Sequence, residues 1–331
     1  MLDKCIFMRY NALSDRRIII AGKGNHIMKK TLSILLACVL CMGCISMFAA
    51  CGDETGGADV VKVVDIQLTE EEYAFAVQKG NSELLKSLNE FMAEIKSNGK
   101  FDEIIDKYFG EGTPTAVTSA STMKTDGSQL IVATNASFEP FEYMKGENYY
   151  GVDMEIMALF ADHLGLELYI NNMEFDAVCL SVSAAGGSYE DEDGNEVPVA
   201  GGVCDVAAAG LTVSETRREI LDFTDSYYNA SQMLIVKADD TTFDGCKTAA
   251  DVEAILNGLD SSVNVGVQNG TTGQKYCQGD ADWEFEGFGF TTKGYSSGAL
   301  AVQDMINGGC NYVIIDEGPA KAIVNRVNEA N

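Results

Sequence analysis

Two segments of the chain place groups that could bind an anion directly after stretches predicted to be buried strands. In the first, a strand ends near Gly210, a hydroxyl follows at Thr212, and a guanidinium follows at Arg217. Such a turn can offer backbone N–H groups and a pair of guanidinium hydrogen bonds to a carboxylate. The second, Gln268-Asn269-Gly270-Thr271-Thr272, opens a predicted helix, whose free N–H groups and dipole also favour an anion.

A third segment supplies the opposite charge. Asp316 ends the apolar strand Tyr312–Ile315, at the edge where open α/β sheets bind ligands. Each of the three segments has a purely structural alternative. Arg217 could lie on the surface, the threonines could form an ordinary N-cap, and Asp316 could cap a helix that begins near Pro319. Taken together, the segments indicate a site with groups for both an anion and a cation.

The elements that must position these groups alternate between strand and helix. The predicted strands are 130–134, 166–170, 204–209, 231–237, 263–268 and 312–316, and the predicted helices are 153–164, 175–184, 299–307 and 319–327. This alternation is typical of a parallel sheet with crossover helices, the α/β class. Upstream, strands at 60–66 and 73–77 precede two helices. Residues 111–128 lack periodicity and are interpreted as a linker.

Residues for catalysis or metal binding are scarce. One histidine, His163, remains outside the N-terminal region, so neither a Ser-His-Asp triad, a Cys-His pair nor a multi-histidine metal site can be assembled. The acidic insertion 186–202 contains the turn dipeptide Asp193-Gly194 and is interpreted as a solvated hairpin. A calcium loop is the alternative, although its spacing is incomplete. We therefore expect no enzyme activity, no cofactor and no resident metal.

Charge excludes one class of partner. The 331 residues carry a net charge of −27, although the N-terminal segment is basic. Such an acidic body repels phosphate backbones, so we expect no nucleic-acid binding. The length leaves room for two lobes, and we expect a monomer. An odd number of cysteines lies in the body, where we expect free thiols with at most one incidental bridge: Cys179, Cys204, Cys246, Cys277 and Cys310.

The N-terminal region is typical of an exported lipoprotein. Residues 28–50 have the basic start and apolar run of a secretory signal, and small residues precede Cys51. We predict cleavage there, diacylation of Cys51 and anchoring at the extracellular face of the cell membrane, or in the periplasm if an outer membrane exists. Cleavage before Cys44 and an uncleaved membrane helix are the alternatives. Residues 1–27 are interpreted as an extension upstream of the true start, and 51–59 as a tether.

Several motifs together resemble the family 3 extracellular solute-binding proteins, the polar amino-acid receptors of ABC importers. The motifs are Asn135–Glu142, Gly151–Asp153, Gly210–Arg217, Leu221–Tyr228, Gly270–Thr272 and Ile315–Ala320. The resemblance covers nearly all of residues 60–331. It implies a two-lobed clamp of the type II periplasmic-binding-protein class, which closes around its ligand.

The resemblance also implies roles for individual residues. Arg217 would bind the α-carboxylate of an amino acid, assisted by Thr212 and Thr272, and Gly270 is a further predicted ligand-binding residue. The Gly210 backbone and Asp316 would take the α-ammonium. The ligand side chain would lie against Phe138, with Phe175 at another pocket wall. Asn135 falls where cation-preferring relatives have an acid, which disfavours a lysine- or arginine-specific pocket.

The order of the segments departs from the family, whose members begin with the segment found here near Leu130 and end with the one found at 65–110. The chain is therefore interpreted as a circular permutant, with residues 111–128 joining the ancestral termini. The implied parts are a smaller lobe at 60–72 plus 237–331, hinge strands at 73–77 and 231–236, and a larger lobe at 78–236.

The function implied is delivery of an amino acid to an ABC transporter permease, by closure of two lobes around the ligand zwitterion. Two alternatives stay open. The protein could be a sensor that presents its ligand-bound form to a signalling receptor. It could also be a dehydratase on the same scaffold, for which Glu139 and Glu142 are the candidate general acids.

Overall fold

Two five-stranded sheets organise the protein in a computed structural model, which describes residues 58–191 and 193–331. The predicted upstream extension, signal peptide and lipidated Cys51 lie outside the described residues, as does most of the 51–59 tether. In the described part of the chain, no helix is both long and apolar enough to cross a membrane.

Strands and helices alternate along much of the chain. The strands are β1 Val61–Val64, β2 Glu71–Tyr73, β3 Ala76–Gln78, β4 Gln129–Thr134, β5 Ser137–Phe138, β6 Glu142–Lys145, β7 Asn148–Tyr150, β8 Glu167–Asn172, β9 Gly187–Glu190, β10 Glu196–Val199, β11 Val206–Ala207, β12 Leu221–Phe223, β13 Tyr228–Ala230, β14 Gln232–Lys237, β15 Asn264–Gln268, β16 Thr291–Tyr295 and β17 Tyr312–Asp316. The helices are α1 Ser82–Ser97, α2 Lys100–Phe109, α3 Val152–Leu164, α4 Phe175–Val182, α5 Glu215–Arg218, α6 Ala249–Leu256, α7 Thr272–Gln278, α8 Gly298–Asn307 and α9 Glu317–Glu329, with a 3₁₀ turn at Ala281–Trp283.

The larger lobe is built on the sheet of order β12-β3-β11-β4-β8. Strands β11, β4 and β8 are parallel, whereas β3 runs antiparallel to both of its neighbours. Every residue of β4 is buried, as expected for a parallel strand covered on both faces. Helix α1 buries Leu88, Phe91, Met92 and Ile95 in the core on one face, which is the face that its periodicity predicts.

The smaller lobe is built on the sheet of order β1-β14-β17-β15-β16. Its parallel core is β16-β15-β17, and β14 and β1 extend it in antiparallel fashion. In this sheet Val61 pairs with Lys237 and Val64 with Leu234. Each lobe therefore combines strands that are far apart in the sequence.

The lobes are joined by a short antiparallel pair, β2 with β13. The predicted strand 73–77 is divided between β2 and β3, and 231–237 corresponds to β14. The hinge role predicted for 73–77 and 231–236 stays a prediction. The chain leaves β2 at Tyr73, and the Phe75 N–H donates to the Thr224 hydroxyl at 3.1 Å before β3 enters the sheet of the larger lobe. The bend at Ala74 and Phe75 arises because a single apolar run serves two sheets, which a continuous period-2 pattern does not reveal.

Two surface segments complete the fold. Residues 111–128 run along the larger lobe, where the Val117 backbone exchanges hydrogen bonds of 2.8 and 3.0 Å with Tyr149. Within 186–202, β9 and β10 form an antiparallel hairpin. Among the described residues all five cysteines are free thiols, and Cys204, Cys277 and Cys310 are buried.

Candidate functional site

Arg217 lies between the two lobes. It belongs to the short helix α5, where the Ser214 hydroxyl accepts a hydrogen bond of 3.2 Å from its backbone N–H. Its guanidinium is buried and donates to the carbonyl oxygens of Thr212 at 2.7 Å and Gly270 at 3.2 Å. Because Thr212 follows β11 and Gly270 follows β15, this one side chain contacts both lobes. The surface alternative for Arg217 is therefore wrong.

The predicted hydroxyl pair meets at the same interface. The hydroxyls of Thr212 and Thr272 lie 3.5 Å apart. Each also donates to one carboxylate oxygen, Oε2 of Glu71, at 2.7 Å. The N-cap of α7 is Thr271, whose hydroxyl accepts from the Gln274 N–H at 3.4 Å. Capping and site formation are thus divided between the two adjacent threonines, and Thr272 is free of the capping role.

Asp316 is buried at the carboxyl end of β17. It occupies the N-cap position of α9, but within the described residues its side chain makes no capping bond. Oδ1 instead accepts from the Tyr73 hydroxyl at 2.5 Å. Burial, followed by the negative charge of Glu71, raises the pKa of Asp316 to about 7, although hydrogen bonds from Tyr73 and Gln232 act in the opposite direction. A cation placed here would favour the ionised form.

Gln232 connects Asp316 to the hydroxyl pair. Its side-chain amide contacts Asp316 and donates to Oε1 of Glu71 at 3.1 Å and to the Thr272 hydroxyl at 3.2 Å. A continuous hydrogen-bonded network therefore runs from Thr212, beside the Arg217 guanidinium, through Glu71 and Gln232 to Asp316. Arg217 and Asp316, the two charged residues predicted to bind opposite ends of a ligand, therefore lie at the two ends of this network.

Gly210 requires the absence of a side chain. Its φ is +51°, and a Cβ at this position would lie 2.9 Å from Cε1 of Phe138. Its N–H donates to Oδ2 of Asp153 at 2.9 Å, so the carbonyl is its remaining backbone group for a ligand. Phe138 itself is buried, with its ring centroid 6.3 Å from that of Phe141. The turn at Gly210 is thus fixed by a hydrogen bond to Asp153 and packs against the Phe138 ring.

Asn135 and Phe175 also lie where the lobes meet. Oδ1 of Asn135 accepts from the side-chain amide of Gln268, the last residue of β15, at 3.0 Å. The Phe175 ring centroid lies 5.5 Å from the Arg217 guanidinium carbon. A Cβ on Gly270 would lie 3.3 Å from this ring. All nine sequence-predicted binding residues are therefore found at or directly beneath the interface.

Sequence reasoning assigned no role in binding to two buried acids at this interface, Glu71 and Asp153, and gave Glu142 only as a candidate acid of the dehydratase alternative. Glu71 and Asp153 are buried, and desolvation raises the pKa of Asp153 to about 7. Glu142 is fully buried, and neither carboxyl oxygen has a hydrogen-bond partner among the described residues. Desolvation and the charges of Asp153 and Asp316 raise its pKa well above the usual range. For Glu71 alone the sequence offered a signal. In a strand Glu71-Glu72-Tyr73, the side chains of Glu71 and Tyr73 lie on the same face.

The acids do not form a metal centre. Within residues 58–191 and 193–331, no group of three or more histidine, cysteine or carboxylate side chains is arranged to hold an ion. Gly210, Tyr227 and Tyr73 donate hydrogen bonds to Asp153 or Asp316 instead. The arrangement suits a ligand that supplies its own charges.

The chain matches the model of a known protein family. The family model of bacterial extracellular solute-binding proteins, family 3, matches residues 6–111, 130–185 and 194–328. The arginine-binding extracellular protein ArtP of Bacillus subtilis (strain 168) is 28% identical over 111 residues, 34% of this chain and 37% of that protein. The chain thus aligns with less than half the length of this curated relative.

Solved structures are similar as well. An ancestral arginine-binding protein bound to arginine shares 26% identity with a TM-score of 0.47, over 60% of this chain and 74% of that one. An ancestral amino acid-binding protein, described as a precursor of cyclohexadienyl dehydratase, shares 25% identity with a TM-score of 0.45, over the same shares of the two chains.

Proposed function

Because the chain belongs to the bacterial extracellular solute-binding proteins of family 3, we propose that it binds an amino acid between its two lobes and delivers it to the permease of an ABC importer. One observation carries the proposal. Hydroxyls of Thr212 and Thr272, from different lobes, converge within 3.5 Å of each other beside the buried Arg217 guanidinium. Such a convergence of donors suits a carboxylate.

The ligand's two charges would be divided between the lobes. Arg217, Thr212 and Thr272 bind the α-carboxylate, and Asp316 with the Gly210 carbonyl binds the α-ammonium. The ligand side chain lies against Phe138 and Phe175, and Asn135 contributes a neutral polar group rather than an acid. An amino acid with a neutral side chain is the class that these groups favour.

Closure would be driven by the zwitterion. Burying Arg217 and Asp316 without charged partners carries a substantial desolvation cost. A ligand that supplies a carboxylate to one and an ammonium to the other offsets this cost, so it binds the closed form preferentially. The permease would recognise that closed form. Diacylated Cys51, in a monomeric protein, would hold the receptor at the extracellular face of the membrane.

The order of the elements supports the circular permutation. β1 and β3 precede the rest of both sheets in the sequence, yet β1 lies at the edge of the smaller-lobe sheet and β3 lies inside the larger-lobe sheet. The family match is interrupted between residues 111 and 130, where the linker between the ancestral termini is proposed. A permuted gene would attach the lipid tether to the smaller lobe.

One observation favours a second candidate, a dehydratase. Glu142 is a buried carboxyl whose pKa is raised by desolvation, which is a property of general acids. Conversion of prephenate-like acids, followed by absorbance and abolished in Glu142→Gln, would favour the enzyme. For the sensor alternative, capture of the ligand-bound protein by a signalling receptor instead of a permease is the distinguishing result.

The binding proposal is tested with a panel of amino acids. A specific ligand should raise the melting temperature with concentration. Arg217→Ala should abolish that shift and reduce affinity at least about a hundredfold, because a charged hydrogen-bonding partner is removed from a buried carboxylate. Titration calorimetry measures the loss, and circular dichroism checks the fold.

Arg218→Ala is the matched control. Arg218 is the next residue of α5, is exposed and pairs with Glu215 at 3.5 Å. The control removes the same charge from the same helix and should bind normally. Near-normal affinity in Arg217→Ala would overturn the assignment of this site.

A further inference from the structure

Glu71 is a buried carboxylate at the junction of the lobes. It begins β2, and its neighbour Glu72 is exposed on the opposite face of the strand. Oε1 accepts from the Thr69 hydroxyl at 2.7 Å and from the Gln232 amide at 3.1 Å. Oε2 accepts from the hydroxyls of Thr212 and Thr272, each at 2.7 Å. These four bonds match the accepting capacity of an ionised carboxylate.

The donors to Oε2 are the two hydroxyls assigned above to the ligand. Each threonine hydroxyl has a single hydrogen to donate. While Thr212 and Thr272 donate to Glu71, neither can donate its hydrogen to a ligand carboxylate. The two carboxylates are therefore mutually exclusive for these bonds.

Charge makes the exclusion stronger. None of the ion pairs among the described residues includes Glu71, and its negative charge contributes to the raised pKa of Asp316. A second carboxylate brought to the same hydroxyls would repel it at short range, and low-dielectric surroundings strengthen the repulsion. Glu71 also lies where the lobes are connected, because β2 pairs with β13 at the point where the chain passes between the lobes.

We propose that Glu71 is an internal competitor of the ligand α-carboxylate, and that it sets the affinity of the site while holding the lobes together through Thr212 and Thr272. The proposal rests on the amino-acid-binding function. A ligand must displace Glu71 from both hydroxyls, so the apparent affinity is reduced by the fraction of molecules in which those hydroxyls are free. Glu71 is thus a specificity-determining residue, which selects ligands whose remaining contacts outweigh the displacement.

The test compares Glu71→Ala with Glu72→Ala, which removes an equal charge from the exposed face of the same strand. Glu71→Ala should bind its amino acid about tenfold more tightly or better, as expected when a competent state is freed. Glu72→Ala should bind like the unaltered protein. Titration calorimetry with the ligand identified by the panel gives both values.

Small-angle scattering tests the lobe contact independently of affinity. Without added amino acid, Glu71→Ala should have a larger radius of gyration than the unaltered protein and Glu72→Ala. If Glu71→Ala does not fold, Glu71→Gln replaces it. Its single amide oxygen is an uncharged and weaker acceptor, so intermediate shifts in affinity and radius are expected.

Two outcomes overturn the proposal. Weaker binding by a folded Glu71→Ala would make Glu71 a direct ligand contact, for example to the ammonium. An unchanged radius would show that Glu71 does not hold the lobes together. If no amino acid binds the unaltered protein or Glu71→Ala, the proposed function fails, and the scattering comparison still decides the lobe contact.

Discussion

The Asp316 carboxyl should make amino-acid binding depend on pH near neutrality. Its pKa is raised to about 7, first by burial and then by the charge of Glu71. A ligand ammonium prefers the ionised carboxylate, so binding displaces a proton from Asp316. Affinity should therefore increase as pH rises to about 7 and level off above it, with a loss of up to about tenfold per pH unit below. Calorimetry between about pH 5.5 and 8, in buffers of different ionisation enthalpy, measures both the slope and the released proton.

Asp316→Asn separates this carboxyl from its neighbours. Glu71, Tyr73 and Gln232 face Asp316, and Asp153 beneath Gly210 also has a pKa of about 7. The variant should bind more weakly at a pH above that value and lose the pH dependence. Glu142, whose raised pKa the charges of Asp153 and Asp316 help to cause, is a further buried acid nearby. A slope that persists in Asp316→Asn would assign the titration to Asp153 or Glu142 and contradict the prediction.

At the level of elements, the turn after β11 depends on Gly210. Its φ of +51° and the Phe138 ring, which would lie 2.9 Å from a Cβ at this position, both oppose any side chain. Gly210→Ala should lower the free energy of unfolding by about 1–3 kcal/mol, from backbone strain and crowding. It should also weaken ligand binding, because the turn carries Thr212. Chemical denaturation and calorimetry measure the two effects.

Gly245→Ala is the control for this element. A Cβ at Gly245 would have open space within 4 Å, and its φ lies outside the positive range. This variant should change stability by less than about 0.5 kcal/mol. If Gly210→Ala is equally harmless, the turn is more adaptable than its geometry indicates.

Some elements of the site could be predicted from the sequence, and others could not. The α/β alternation and the turn carrying Thr212 and Arg217 follow from local patterns, since hydrophobic periodicity and glycine position are local properties. Burial of Glu71 does not, because a charged residue is buried only when distant donors satisfy it. Those donors, Thr212, Thr272 and Gln232, are brought to Glu71 by sheet assembly alone. The bounds of the predicted strand 73–77 differed for the same reason, since this apolar run is divided between β2 and β3.

At the scale of the whole molecule, the family and the two-lobed α/β fold predicted from the motifs are confirmed. The order of the parts stays a prediction, and contacts between Ala58–Val60 and the C-terminal residues make it testable. The Asn331 side chain donates to the Ala58 carbonyl at 3.1 Å, and Oδ1 of Asn328 accepts from the Val60 N–H at 2.9 Å. Because Ala58 and Asn331 are in contact, a short linker can join them.

A rearranged chain would restore the family order of the segments. It begins at Ser128, runs to Asn331, continues through a short Gly-Ser linker into Ala58 and ends at Gly112. If 111–128 only joins ancestral termini, this chain should fold and bind the same amino acid. The expected cost includes the pair of hydrogen bonds between Val117 and Tyr149, the Ala120–Leu168 backbone bond and the Thr115 N–H bond to Glu155, about 1 kcal/mol each. The buried Val117 side chain is lost as well, so this chain should be less stable by several kcal/mol and still fold. Circular dichroism, thermal unfolding and the ligand panel provide the comparison.

The matched control joins the same ends but opens the chain after Ile156, inside helix α3. Ile156 is fully buried in the larger-lobe core, so a break there exposes apolar surface and removes helical hydrogen bonds. The control should unfold or aggregate, whereas the chain opened in the linker should not. Equal loss of structure in both would mean that residues 111–128 are an integral part of the larger lobe, and the permutation would then have to be abandoned.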